Sequence, residues 1–278
     1  DHLMQIMIWY KSQTKAILYG FQIREYQKML KRNPVTNTLS SLRNKGVISQ
    51  KNFEQLITND QIMTHFPKNK MVVDIPVFSS LIIDESGSMS RERSQVIEAH
   101  KEALIAIRGS MICKKESLFL VQHTFNYTST MLNALSVVNS NKNDKIVALN
   151  QENYNPVGTT ALYDTLYEVI TMLHIEADSF RIEGNKPPQI VIGVLTDGQD
   201  TGSKYLPEDI KKLMKDLYNK RVIKSSVVIG WADGQNLREE QLESLKQKIG
   251  FERYICLVKS NPSAIRDAFK LWSQFTIE

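Results

Sequence analysis

Cysteine is nearly missing from this chain of 278 residues: only Cys113 and Cys256 occur, far apart and in no CxxC pair. That excludes a disulfide framework and a thiolate zinc site, and it predicts core thiols in a reducing compartment, with a cytoplasmic location. Long apolar runs are missing too. Nothing approaches the roughly 18 consecutive residues of a membrane span, and no basic region followed by an apolar core and a cleavage site follows Asp1. A membrane span is therefore not expected. The phosphate loop GxxxxGK[ST] and the nucleophile elbow GxSxG are absent, so nucleotide hydrolysis and serine-hydrolase chemistry have no motif to stand on. The five histidines, His2, His65, His100, His123 and His174, do not fall at a predicted strand end beside Ser88, the one serine that could be proposed as a nucleophile. No enzymatic turnover is expected.

What is present is an ordinary globular composition with an uneven charge. Residues 1–70 hold eleven Lys or Arg against four Asp or Glu, a net +7, and the remaining 24 and 26 leave residues 71–278 at −2. The basic character belongs to the first quarter. Its apolar residues lie among Lys, Gln and Arg at spacings that predict one or two helices within 2–31, ending near Asn33-Pro34. A hairpin of short helices follows, Leu39 to Arg43 and then the face Phe53, Leu56 and Ile57, joined through Lys45-Gly46 and Ser49. We divide the chain at the polar break Pro67 to Lys70 into a basic helical segment, 1–70, a candidate docking region, and a larger domain, 71–278. Trp9, Tyr10, Tyr19, Phe21 and Tyr26 among those cations make nucleic-acid binding the alternative function, although such residues more often form a solvated face and a small core.

Beyond residue 70 strands and helices alternate. Strands are predicted at Met71 to Asp84, Ser117 to Tyr127, Ser129 to Val138, Gln189 to Thr196, Ile223 to Gly230 and Tyr254 to Val258. Helices are predicted at Ser90 to Ile107, Thr160 to Ile175, Pro207 to Lys220, Leu237 to Ile249 and Pro262 to Phe275, with loops at Asn139 to Gly158 and Ala177 to Pro188. Runs such as IPVFSSLIID are too apolar for a half-exposed strand. The pattern implies an α/β fold: a doubly wound, mainly parallel central sheet with helices on both faces, preceded by the small helical segment.

The polar residues of interest collect at strand ends. LIIDESGSM places Asp84, Ser86 and Ser88 after an apolar run, and Gly87 lets the backbone curl so that the three oxygens can converge. Hard oxygens suit Mg²⁺, which keeps several waters and is seldom caged by protein alone. The competing reading is that Asp84 and Ser86 cap the following helix. Asp197 ends another apolar run, and Gly158-Thr159-Thr160 stands at a loop-to-helix junction. In open α/β sheets ligands bind outside the carboxyl ends of the strands.

These segments, D-x-S-G-S, then G-T-x-A-L-Y-D, then L-T-D-G, resemble the metal-ion-dependent adhesion site of the von Willebrand factor type A domain, over roughly residues 72–277. The resemblance implies a Rossmann-like sheet and a metal held by Asp84, Ser86, Ser88, Thr160 and Asp197, with Thr159 as second choice for Thr160. Mg²⁺ is the implied ion, with Mn²⁺ or Ca²⁺ as substitutes. It further implies a protein-binding module, an adaptor or regulatory subunit of a larger assembly, whose partner supplies a Glu or Asp to the ion. Glu85 is expected to be exposed; Asp200 and Thr201, beyond the Asp197-Gly198 turn, either orient the site from outside or lie in a solvated loop, and the loop is the expectation for both.

Overall fold

The computed structural model describes residue 44 and residues 75–110, 118–139, 145–182, 187–197, 200–231, 239–257 and 262–277. The chain divides into two units, Asp1–Ile48 and Ser49–Glu278, and apart from Asn44 every described residue lies in the second. The helices expected within 2–57 and the division at Pro67 to Lys70 fall outside the described residues.

In chain order the elements are β1 (Val77–Asp84), a 3-10 turn (Gly87–Glu92), α1 (Arg93–Gly109), β2 (Leu118–Phe125), β3 (Ser129–Val137), α2 (Leu162–Ile182), β4 (Gln189–Leu195), α3 (Pro207–Asn219), β5 (Ile223–Trp231), α4 (Glu239–Ile249), β6 (Arg253–Leu257) and α5 (Pro262–Ile277). Among the described residues six strands form one sheet in the order β3-β2-β1-β4-β5-β6. All neighbours are parallel except the β2–β3 hairpin. The chain winds outward from β1 through β2 and β3, then returns to β1's other side with β4. The gap between the ends of β1 and β4 is thus the place where the strand order reverses.

Register puts three strand ends level there, since Asp84 pairs with Phe125 and Ile83 with Leu195. β1 and β2 are buried along their full length, as strands covered on both faces must be. One face carries α1 and α5, through Leu81, Ile83, Leu104, Ile107, Phe269 and Trp272. On the other, Phe180 of α2 meets Phe78 and Phe119 edge-on, with ring centroids 5.5 and 6.2 Å away. Helices α3 and α4 continue that layer.

Two glycines record how tightly helices sit on the sheet. A Cβ on Gly193 of β4 would lie 2.3 Å from Cδ1 of Trp272, and one on Gly230 of β5 2.9 Å from Leu242 of α4. Only hydrogen fits at either place.

Three expectations need correction. β1 starts at Val77, because Ile75 is exposed and Pro76 has no N–H to give a ladder, although its carbonyl accepts from Gln189 N–H at 2.8 Å. Part of the loop expected from Ala177 is helix: α2 runs to Ile182, since buried Ala177 and Phe180 continue the stripe of Leu166, Val169, Ile170 and Leu173. The helix expected from Ser90 begins at Arg93, after the 3-10 turn.

Candidate functional site

Asp84 is the last residue of β1 and is fully buried. Its Oδ1 accepts from the Ser86 N–H at 2.8 Å, and its Oδ2 accepts from Thr196 Oγ1, just past β4, at 2.7 Å. The first bond closes an Asx turn that bends the chain as it leaves the strand. The hydroxyls of Ser86 and Ser88 then meet at 2.9 Å, with either as donor. Ser86 makes no side-chain bond to cap the 3-10 turn, so the capping alternative fails for it. The turn is instead held by Ser90, whose hydroxyl donates to the carbonyls of Gly87, at 2.6 Å, and Pro156, at 3.2 Å.

Asp197 enters from the end of β4 and is also buried. Burial, and next the negative charge of Asp197, push the Asp84 carboxyl up to about 6, against the opposing hydrogen bonds from Ser86 and Thr196. At roughly 1.4 kcal/mol per unit, holding Asp84 ionised at this buried position costs on the order of 3 kcal/mol at neutral pH, a cost that a cation beside it would offset. Hard oxygens around two buried acids are the donor set of Mg²⁺, Mn²⁺ or Ca²⁺. Among the described residues no cluster of three or more His, Cys, Asp or Glu could hold a metal, so a softer, imidazole- or thiolate-rich site is not on offer.

The long connection between β3 and α2 forms the wall beside this pair. Val157 N–H donates to the Glu85 carbonyl at 2.9 Å, and Gly87 N–H to the Gly158 carbonyl at 3.0 Å. Tyr154, wholly buried, donates its hydroxyl to the backbone carbonyl of Asp84 at 2.7 Å, and burial followed by the charge of Asp84 raises its pKa. Glu85 is half-buried and accepts from the Asn155 N–H, which corrects the expectation of full exposure.

Thr160 is buried and Thr159 exposed. The Thr160 N–H donates to Thr201 Oγ1 at 3.0 Å, and its carbonyl accepts from the N–H groups of Thr201 and Gly202 at 2.8 and 3.2 Å. Its hydroxyl makes no hydrogen bond to Asp84, Ser86 or Ser88 among the described residues. The structure therefore joins Asp84 to Ser86, and Ser86 to Ser88, by direct bonds; it brings Asp197 within electrostatic reach of Asp84 and places Thr160 on the same rim through its backbone.

The loop after Asp197 contributes more than the sequence suggested. Asp200 Oδ1 accepts from Leu162 N–H at 2.8 Å, at the start of α2, and Ser203 Oγ accepts from Tyr163 and Asp164 N–H at 2.9 and 3.1 Å. In return Asp164 Oδ1 accepts from Lys204 and Tyr205 N–H at 2.7 and 2.9 Å. Carboxylates at a helix N-terminus satisfy its unpaired N–H groups and complement its dipole. Thr196, Tyr154 and Ser203 were not singled out from sequence. For Thr196 a signal existed, a hydroxyl beside Asp197 at a strand end.

Strand order and site position define the class first: a doubly wound α/β domain with its polar cluster at the topological switch point. The von Willebrand factor type A domain profile matches residues 80–270, and the chain belongs to that family. Among solved structures it is similar to a von Willebrand factor type A protein from Catenulispora acidiphila (15% identity, TM-score 0.52, covering 73% of this chain and 43% of that one). It is also similar to the PilB minor pilin from Streptococcus sanguinis (17%, 0.52, 75% and 63%). A third is the pilus adhesin SpaC from Lactobacillus rhamnosus GG in its open conformation (14%, 0.54, 75% and 31%). The chain spans less than two thirds of each of these proteins, and at such identities the likeness concerns the fold. No curated protein sequence matches it.

Proposed function

We propose that this domain is a metal-dependent protein-binding module, in which Asp84, Ser86, Ser88, Thr160 and Asp197 hold Mg²⁺, or Mn²⁺ or Ca²⁺ in its place, and that it serves as an adaptor or regulatory subunit without enzymatic turnover. The observation that carries this reading is the pair of buried carboxylates at the switch point, with the hydroxyls of Ser86 and Ser88 turned to one another beside them. A bound divalent ion supplies positive charge and an open coordination position for a partner's Asp or Glu. The chain's own residues do the rest: Thr196 and the Ser86 N–H fix the Asp84 carboxylate, Tyr154 anchors the backbone behind it, and the Asp200 loop fixes the entry to α2 beside Thr160. The pilus proteins of similar fold are named as adhesin and pilin, and a binding role is in keeping with those names.

Thermal unfolding of the full chain with Mg²⁺ and with EDTA tests the site. A metal that binds only the folded state raises stability by about 2.7 kcal/mol at a hundred times its dissociation constant. Wild type should show that rise and Asp197→Ala should not; an equal response in both removes the reading. The nucleic-acid alternative rests on residues 1–70, and retention of DNA or RNA by the full chain at low but not high salt decides it.

A further inference from the structure

Scattered apolar side chains on a surface are ordinary, yet two of them here are placed by the same contacts that shape the acid site. Tyr127, in the turn between β2 and β3, is 64% exposed, and Val157, on the β3–α2 connection, is 46% exposed. Gly158 lies between them. Its φ is +78°, and the Tyr127 ring packs so closely that a Cβ would sit 3.0 Å from Cδ1. The Gly158 carbonyl accepts from Gly87, between Ser86 and Ser88, and the Val157 N–H donates to Glu85. Tyr127 and Val157 thus flank a glycine that is one hydrogen bond away from the loop carrying both hydroxyls.

Three carboxylates of this rim face backbone N–H groups: Glu85 that of Asn155, Asp164 those of Lys204 and Tyr205, and Asp200 that of Leu162. Exposed charges of both signs stand on these segments, Arg91 and Lys204 with Glu152 and Glu208, and Arg91 is the one on the turn that carries Ser88. Arg91 follows Ser88 by three residues in the 3-10 turn, where such positions eclipse. Lys204 lies in the loop bonded to the start of α2.

We propose that Tyr127 and Val157 form an apolar shelf that selects the partner. The shelf rests on the carboxylate-capture reading above. The occupant is a protein segment whose metal-seeking Asp or Glu stands next to an aromatic or branched aliphatic side chain, with a further carboxylate directed to Arg91. An exposed tyrosine held against glycine offers rigid contact area at little conformational cost, the property that makes tyrosine a frequent anchor of interfaces.

The probe is an array of peptides of about nine residues, each with a central Glu or Asp and randomised flanks, read with the full chain in Mg²⁺ and in EDTA. Peptides held only in Mg²⁺ should be enriched in Tyr, Phe, Trp, Leu or Ile beside the central acid. Tyr127→Ala should weaken them about tenfold and erase that enrichment while leaving the Mg²⁺ thermal shift intact, and Val157→Ser should act in the same direction more weakly. Metal-dependent peptides with no apolar enrichment, or an enrichment that survives both substitutions, overturn the shelf and leave carboxylate capture standing. An array with no metal-dependent peptide overturns both.

Discussion

Two buried polar clusters touch the same sheet, and they differ in how their charge is closed. On the α1 face, His100 Nδ1 accepts from Leu149 N–H at 3.2 Å, so its Nε2–H donates to Gln122 Oε1 at 2.5 Å. Gln122 Nε2 donates to Asn133 Oδ1 at 2.6 Å and to the Val147 carbonyl at 2.8 Å, and Asn133 Nδ2 donates to the carbonyls of Leu120 and Ala134. That network is neutral and complete, and burial pushes His100 down to about 4 so that it stays neutral. At the strand ends, Asp84 is held by a hydroxyl and an N–H group but lies within reach of the like charge of Asp197. The first cluster fixes the β3–α2 connection to the sheet. The second keeps two buried acids close enough for one to raise the pKa of the other, and in the proposed reading a metal ion offsets that charge.

Breaking the neutral cluster should have the largest effect. Gln122→Leu leaves His100, Asn133 and the Val147 carbonyl without their partner, a loss on the order of 4 kcal/mol, seen as a lower urea midpoint that Mg²⁺ shifts no less than in wild type. Acid attacks next, at His100 in this cluster and at His123 on the opposite face of β2. The folded-state pKa of His100 is about 4 and that of the buried His123 about 3, both lowered by desolvation. Their contribution is present above the unfolded value near 6.5 and is lost as pH falls through 4 and then 3, because the unfolded chain binds the protons first. Urea titrations between pH 6.5 and 4 should therefore lose about 1.4 kcal/mol per pH unit for each histidine, and His100→Gln should reduce that slope.

The charged cluster should respond with the opposite sign. Asp84→Asn keeps an acceptor for the Ser86 N–H and removes one of two like charges, so in EDTA it should be about 2 kcal/mol more stable than wild type. The same variant should lose the Mg²⁺ shift; a drop in stability in EDTA would remove the contrast between the clusters. Smallest is Asp200→Ala, which uncaps α2 at a cost of about 1 kcal/mol and should weaken Mg²⁺ several-fold by loosening Thr160, as read by metal titration of the thermal midpoint.

Most of the fold was legible because strands covered on both faces are written as largely apolar runs: β4 is one, β1 is one but for two serines, and β2 starts as one with Leu118 to Val121. Helix ends were less so: α2 was cut short at Ile175 because Glu176 and Asp178 break the apolar texture, although Phe180 continues its stripe. Within the site, Asp84, Ser86, Ser88 and Asp197 stood out because each follows an apolar run within a few residues. Tyr154 did not. Its bond to the Asp84 carbonyl spans 70 residues, and nothing local in a polar loop marks a tyrosine that will be buried. A supporting role for Asp200 was one reading of its place after Asp197, but its partner on α2 and the part of Ser203 were invisible, since only the folded chain places a loop after β4 against a helix that precedes β4.

The indole of Trp272 resting on Gly193 makes the sheet and α5 behave like a key in a notch. Along that line α5 has one seat and not a continuum of positions, because a sideways slide drives the ring into the backbone of β4, and the helix must lift before it can travel. A side chain larger than hydrogen at position 193 would therefore unseat α5 from the sheet, and Trp272 fluorescence would register it.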